Sequence, residues 1–267
     1  MNEMSTKFQL TADNYYSDEA NREYLSVSQF KDFVGTYGRM GCEEMALAKI
    51  RGEYKTEPSN AMMIGSYVDS YYEGTLDEFR TKNPQIFRKD GKLLSGFQKA
   101  EDIIARTERD ELFQKYMSGQ TAELFGVPWK IKMDSYLEDK AIVDLKVMAT
   151  LTKLNWVPDI GYLDFVRYWG YDIQGAVYQE VVYQNTGKRL PFFIAGASKE
   201  EDIDIEVIHV NDHYLKEALS IVEHNIERIK QLKEGRVKPD RCNTCGWCRQ
   251  TKVLKRPISI MDLTASI

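Results

Sequence analysis

The sequence predicts an α/β (α+β) fold, a central β-sheet flanked by helices. Three observations lead there. Helical patterns fill the first half as far as Met117. Three short, alternating or β-branched apolar runs follow, and two more come after a long helical stretch. A last amphipathic segment precedes a cysteine-rich tail, so strands and helices interleave instead of forming two separate blocks.

Residues 1–23 read as a polar lead-in. Ser26 or Ser28 is placed to cap a helix running to about Val34, because a side-chain oxygen there can accept from the first free amides. Glu43–Arg51 and Ala61–Tyr72 read as two further helices, the second interrupted on its apolar side by Asp69. Phe79–Ser95 reads as loop, broken by Pro84 and Asp90-Gly91. Phe97–Met117 reads as helix in two pieces. Thr121–Phe125, Trp129–Ser135 and Lys140–Val147 read as an antiparallel meander, turning at Gly126-Val127-Pro128 and Glu138-Asp139. Tyr162–Gln184 reads as one long helix closed by Asn185-Thr186-Gly187. Leu190–Ala197 and Ile203–Val210 read as strands. Asn211 or Asp212 caps a final helix, His213–Lys233, stopped by Gly235. This divides the chain into a lead-in, a single domain over 24–250 and a tail over 251–267.

Bulk properties narrow the function. The 267 residues suit one large domain. No run of 18 apolar residues occurs and no secretory pattern opens the chain, so a soluble cytoplasmic protein with no membrane partner is expected. The net charge of −5 argues weakly against nucleic acid. Its distribution argues the other way: from Arg228 onward ten Lys/Arg stand against three Asp/Glu, a local balance of +7 on a body of −12. Such a basic third suits phosphate contact, although a solvated helix face followed by a tail has the same composition.

The chemistry concentrates in Lys132-Met133-Asp134 and Ile142-Val143-Asp144-Leu145-Lys146. Asp134 ends one strand, and Asp144 and Lys146 share a face of the next. Pairing through the intervening turn brings the two carboxylates together, where they repel unless a cation lies between them. Mg²⁺ or Mn²⁺ suits such oxygen donors. Lys146 is then positioned to orient or activate water, or to stabilise phosphate charge. An exposed ion pair on an edge strand would read the same way.

These residues resemble the core motif of the PD-(D/E)XK nuclease superfamily, in the branch of RecB nuclease domains and phage RecE-like exonucleases. Gln174-Gly175-Ala176-Val177-Tyr178 matches the Q-x-x-x-Y signature of that branch, with Gln174 and Tyr178 on one helical face and placed to reach DNA. Glu123 resembles the upstream acidic residue of the family. Gly65-Ser66-Tyr67-Val68-Asp69 resembles an N-terminal helix motif, except that Asp69 stands where many relatives carry a metal-binding His. His209, His213 and His224 all lie too late in the chain to fill that place. Leu25-Ser26-Val27-Ser28-Gln29-Phe30 also resembles the opening of the prophage RecE-like group.

The resemblance implies a restriction-endonuclease-like core with a central mixed sheet and metal-dependent 5′→3′ degradation of double-stranded DNA in phage-type recombination. It further implies a ring-shaped homo-oligomer and a RecT-like single-strand annealing protein as partner. On this reading one or two ions, held by Asp134, Asp144, the Leu145 carbonyl and Asp69, polarise the phosphate and acidify a bound water. A different class remains open: a non-catalytic DNA-binding or assembly module that keeps the fold.

Cys242, Cys245 and Cys248 crowd into seven residues, and Cys42 completes a set of four. In a chain without an export signal this spacing points to ligation, not to disulfides. Four thiolates suit Zn²⁺ or a [4Fe–4S] cluster, and four free thiols holding nothing are the remaining alternative. One cysteine before the core and three after it resembles the iron–sulfur staple of AddB-type and CRISPR-associated nucleases, although this trio is more tightly spaced. A repair- or CRISPR-type nuclease with such a staple is therefore a further alternative. Trp247 and Arg249 beside the trio are candidates for DNA contact or for packing the loop onto the body.

Overall fold

The computed structural model describes residues 10–11, 14–125, 128–254 and 256–261. At the start, Ser17 caps α1 (Asp18–Glu23) and Ser26 caps α2 (Val27–Val34). Ser26 accepts the Gln29 amide while Gln29 returns a side-chain bond to Ser26, a reciprocal box that decides between the two candidate serines. The lead-in thus contains a helix, signalled by Ser17 followed by Asp18 and Glu19. A two-residue hairpin, β1 (Gly35–Thr36) and β2 (Arg39–Met40), precedes α3 (Glu43–Ile50). Ser59 caps α4 (Asn60–Tyr72).

The expected loop over 79–95 is partly helical. It opens inside α5 (Leu76–Lys82) and continues through a 3₁₀ turn (Pro84–Ile86). Acidic residues at the start of α5 and basic ones at its end favour a helix too short to show a period. The two-piece helix is α6 (Ser95–Glu108) and α7 (Glu111–Met117), divided where Asp110 accepts the Phe113 amide.

The sheet has five strands in the order β3-β4-β5-β8-β9. They are β3 (Gln120–Phe125), β4 (Lys130–Leu137), β5 (Ala141–Met148), β8 (Phe192–Ser198) and β9 (Ile205–Val210). All neighbours are antiparallel except β5 and β8, so the sheet is mixed, as expected. Asp139 turns between β4 and β5 at φ 58°, whereas residues 126 and 127 of the turn expected over 126–128 lie outside the described residues.

The single helix expected over 162–184 is wrong at its start. A hairpin, β6 (Asn155–Val157) with β7 (Gly161–Leu163), comes first and leads into the short α8 (Phe165–Tyr168). Gly170, at φ 65°, breaks the chain before α9 (Tyr171–Thr186). Tyr162, read as the first residue of that helix, stands 66% exposed on the hairpin and packs edge-on against Trp156. Asp212–Lys233 forms α10, and Gly246–Gln250 forms the short α11.

Both sheet faces are covered. Ile142, Phe192 and Ile194 pack with α2, α3, α9 and α10 on one side. Val143, Leu145 and Ala195 pack with α4, α6 and α7 on the other. Burial on both faces explains why the central strands read as nearly continuous apolar runs. Among the described residues no helix is long and apolar enough to cross a membrane.

Candidate active site

The site lies where β4 and β5 part. Their register runs through Leu137↔Ala141 and Tyr136↔Ile142 and ends at Ser135↔Val143. One step further Asp134 faces Asp144, and the ladder gives way to side chains. Asp134 Oδ2 accepts the Leu145 amide at 2.7 Å, satisfying a buried donor in place of a strand carbonyl. Lys146 forms a tight ion pair with Asp144 and donates to the Leu145 carbonyl at 3.1 Å. Asp144 is only 1% exposed, so that pairing offsets a large desolvation cost.

The helix α9 completes the arrangement. Gln174 Nε2 donates to Asp144 Oδ1 at 2.7 Å and lies 3.0 Å from Tyr178 Oη. Tyr178 in turn donates to the Lys132 carbonyl at 2.8 Å. The i, i+4 pair therefore ties α9 to both strands that carry the carboxylates. Gly175 permits that close approach, because a Cβ there would stand 2.4 Å from the buried Phe192 ring. We expect Gly175→Ala to cost about 1–3 kcal/mol through overpacking, read from denaturant unfolding. An unchanged midpoint would show that Phe192 yields freely. Tyr178→Phe strips the Lys132 carbonyl of its donor and is expected to cost about 1–3 kcal/mol, with reduced activity. A variant as stable as the parent would mean that another donor takes over.

On the opposite wall, α4 presents Asp69 and, one turn on, Glu73, which pairs with Lys132 at 2.8 Å. Asp69, Asp134, Asp144, Lys146, Gln174 and Tyr178 all line one cavity of about 360 Å³. Tyr15, Tyr16 and Asn21 from the first segment, and Ser26, Ser28 and Lys31 around α2, line it too. Lys31 and Lys146 each sit 5.1 Å from the centre of the Tyr171 ring. Glu123 is not among the lining residues. It lies on β3 in register with Lys132, and its charge is felt by Tyr15, Tyr16 and Lys130.

Burial dominates the electrostatics. It pushes the Asp134 carboxyl well above its ordinary value, and the nearby Asp144 and Asp69 push it further. Asp69 is raised by burial to about 7, with Lys146 opposing and Asp144 reinforcing the shift. Burial disfavours charge on Lys146, but Asp144 and Asp134 outweigh it and hold the ammonium above its usual range. Burial lowers Lys31 to about 8, helped by Lys146.

Sequence reasoning had not placed Lys31, Lys132, Glu73, Tyr15 or Tyr16 here. Two of them were readable: Lys132 lies two residues before Asp134 on one strand face, and Glu73 lies four after Asp69 on one helix face.

A second cluster lies elsewhere. The sulfurs of Cys42, Cys242, Cys245 and Cys248 are all within 4.8 Å of one another. Among the described residues, no other three metal-ligating side chains come together so closely. Burial opposes ionisation of Cys242, yet hydrogen bonds from Thr244 and the Cys245 amide bring its thiol down to about 6. Trp247 packs with its ring centre 5.8 Å from that of Tyr54, holding the loop on the body.

A mixed five-stranded sheet between helices, with Asp134, Asp144 and Lys146 where two strands part, defines the PDDEXK-like class of protein. The chain belongs to the family described as a PDDEXK-like domain of unknown function (DUF3799), whose model matches residues 26–251. It is similar to a candidate exonuclease from Eubacterium rectale with a crystal structure at 2.19 Å. The two share 63% sequence identity at a TM-score of 0.92, over 97% of this chain and 100% of that one. No curated protein matches.

Proposed function

We propose that the chain is a metal-dependent exodeoxyribonuclease that hydrolyses phosphodiesters of linear double-stranded DNA. The observation that carries this reading is the meeting of Asp134, Asp144 and Lys146 at the opening between β4 and β5. Family membership and the E. rectale relative support it.

The donor set fits a hard divalent ion. Asp69, Asp134 and Asp144 line one cavity, and burial holds Asp69 and Asp134 toward their neutral forms until a cation compensates their charge. These three and the Leu145 carbonyl would hold it. Mg²⁺ or Mn²⁺, when bound, supplies Lewis-acid polarisation of the phosphate and acidification of a bound water. An oxygen donor at 69 suits Mg²⁺ as well as an imidazole does.

The protein's own groups do the rest. Lys146, paired with Asp144 and donating to the Leu145 carbonyl, is placed to stabilise charge building on the phosphate or to orient the attacking water. Gln174 fixes the Asp144 carboxylate, and Tyr178 anchors Gln174 to β4. Lys31 and Lys132 supply positive charge on the cavity walls for flanking phosphates.

The test is degradation of end-labelled linear duplex in Mg²⁺ or Mn²⁺, with labels on either end to read polarity. Binding without turnover in either metal would instead identify a non-catalytic DNA-binding module. Sizing the protein alone and with a single-strand annealing protein tests the ring and the partner.

A further inference from the structure

We propose that Cys42, Cys242, Cys245 and Cys248 hold one tetrahedral Zn²⁺ that staples α3 to the C-terminal segment. Cys42 Sγ lies 3.6 Å from Cys248 Sγ, and Cys242 Sγ lies 4.0 Å from it. Four thiolates at a Zn–S distance of about 2.3 Å, arranged tetrahedrally, stand roughly 3.8 Å apart. All four sulfurs fall within 4.8 Å of one another, as a shared central ion requires. The pairs are far too long for a disulfide, which needs about 2.05 Å. They are also too close for a cubane, in which each cysteine binds a different iron at its own corner and the sulfurs spread outward.

The surroundings suit a closed structural site. Cys42 and Cys248 are 3% and 2% exposed, and four thiolates leave no coordination position open. The Cys245 amide donates to Cys242 Sγ at 3.3 Å and the Cys248 amide to Cys245 Sγ at 3.4 Å. Thr244 Oγ1 is a second donor to Cys242 Sγ, at 3.5 Å. Such bonds spread the charge of a tetrathiolate centre. Asn243, at φ 60°, turns the Cys-x-x-Cys loop so that both sulfurs face inward.

The protein around the centre is prepared for it. Arg228 spans Glu43 and Asp240, and Arg241 pairs with Glu44, so ionic contacts clamp the same two segments on either side of the sulfurs. The staple joins residues 206 apart in sequence. It is chemically separate from the active-site carboxylates: soft thiolates select Zn²⁺, and hard oxygens select Mg²⁺. It also has a reach. The helix α3 packs on α2, whose Lys31 lines the active-site cavity.

The test uses the full chain, prepared anaerobically from cells supplied with both iron and zinc. Elemental analysis is expected to give about one Zn²⁺ per chain, with no visible absorption. Exchange for Co²⁺ is expected to give the intense visible bands of a tetrahedral thiolate site, and Cys245→Ser to lose the metal and lower the thermal midpoint. Should that variant fail to fold, the wild-type metal content and the Co²⁺ spectrum still decide. Brown protein carrying several irons with acid-labile sulfide would overturn the proposal. So would metal-free protein in which a thiol reagent titrates four free cysteines. Either result leaves the exonuclease reading, which rests on Asp134 and Asp144, untouched.

Discussion

Asp144→Asn and Lys146→Ala are each expected to lower DNA degradation by about 10²–10³-fold, with the fold retained at reduced stability because each leaves a buried charge without its partner. In Asp144→Asn the side chain keeps an oxygen that can accept from Gln174, so the tie between β5 and α9 survives. What disappears is the negative charge that balances Lys146 and that would hold the metal. In Lys146→Ala the carboxylates lose the cation that stands against them in a buried site. Initial rates on end-labelled duplex, with circular dichroism on the same samples, check both. Full activity in either variant would place the chemistry elsewhere in the chain.

The second large effect is on pH. Asp69 and Asp134 have folded-state values raised above those of an unfolded carboxyl, so the folded, metal-free chain keeps protons that the unfolded chain has shed. Its stability therefore falls as pH rises from about 4, the ordinary carboxyl value, to about 7, where Asp69 titrates. The slope is on the order of 1 kcal/mol per pH unit for each such group. A divalent ion binds the deprotonated forms, so its stabilisation grows over the same window and levels off above it. Thermal unfolding with and without Mg²⁺ at pH 5.5 and pH 8 is expected to show little metal effect at the first and a clear gain at the second. Equal gains at both values would mean that these carboxyls are not the ligands.

Much of this was legible in the sequence because local chemistry and tertiary demand agreed. The strand pattern around Asp134 and Asp144 survives intact, since Ile142 and Val143 are core residues whichever neighbour covers them. The cysteine spacing announced a cluster, and Cys42 joins it in space. The failures have physical causes. Tyr162 looked like the start of an amphipathic helix, but it stands exposed on a hairpin, so its apolar character says nothing about burial. The left-handed Gly170 that ends α8 is one residue in a long run and has no periodic signature. Lys31 reaches the site only because α2 packs against α9, a contact between segments about 140 residues apart that no local pattern reveals.

Tyr15, Tyr16 and Asn21 stand in the same wall as the acidic centre, ahead of the point where the family match begins at residue 26. Lys130 is secured by the Tyr15 carbonyl and by Asn21 Oδ1. A shortened version begun at the family boundary would thus strip the Lys130 ammonium of both acceptors and open one side of the cavity around Asp134 and Asp144 to solvent. Truncation at that boundary is a choice about enzyme architecture, and not merely about removing a loose end.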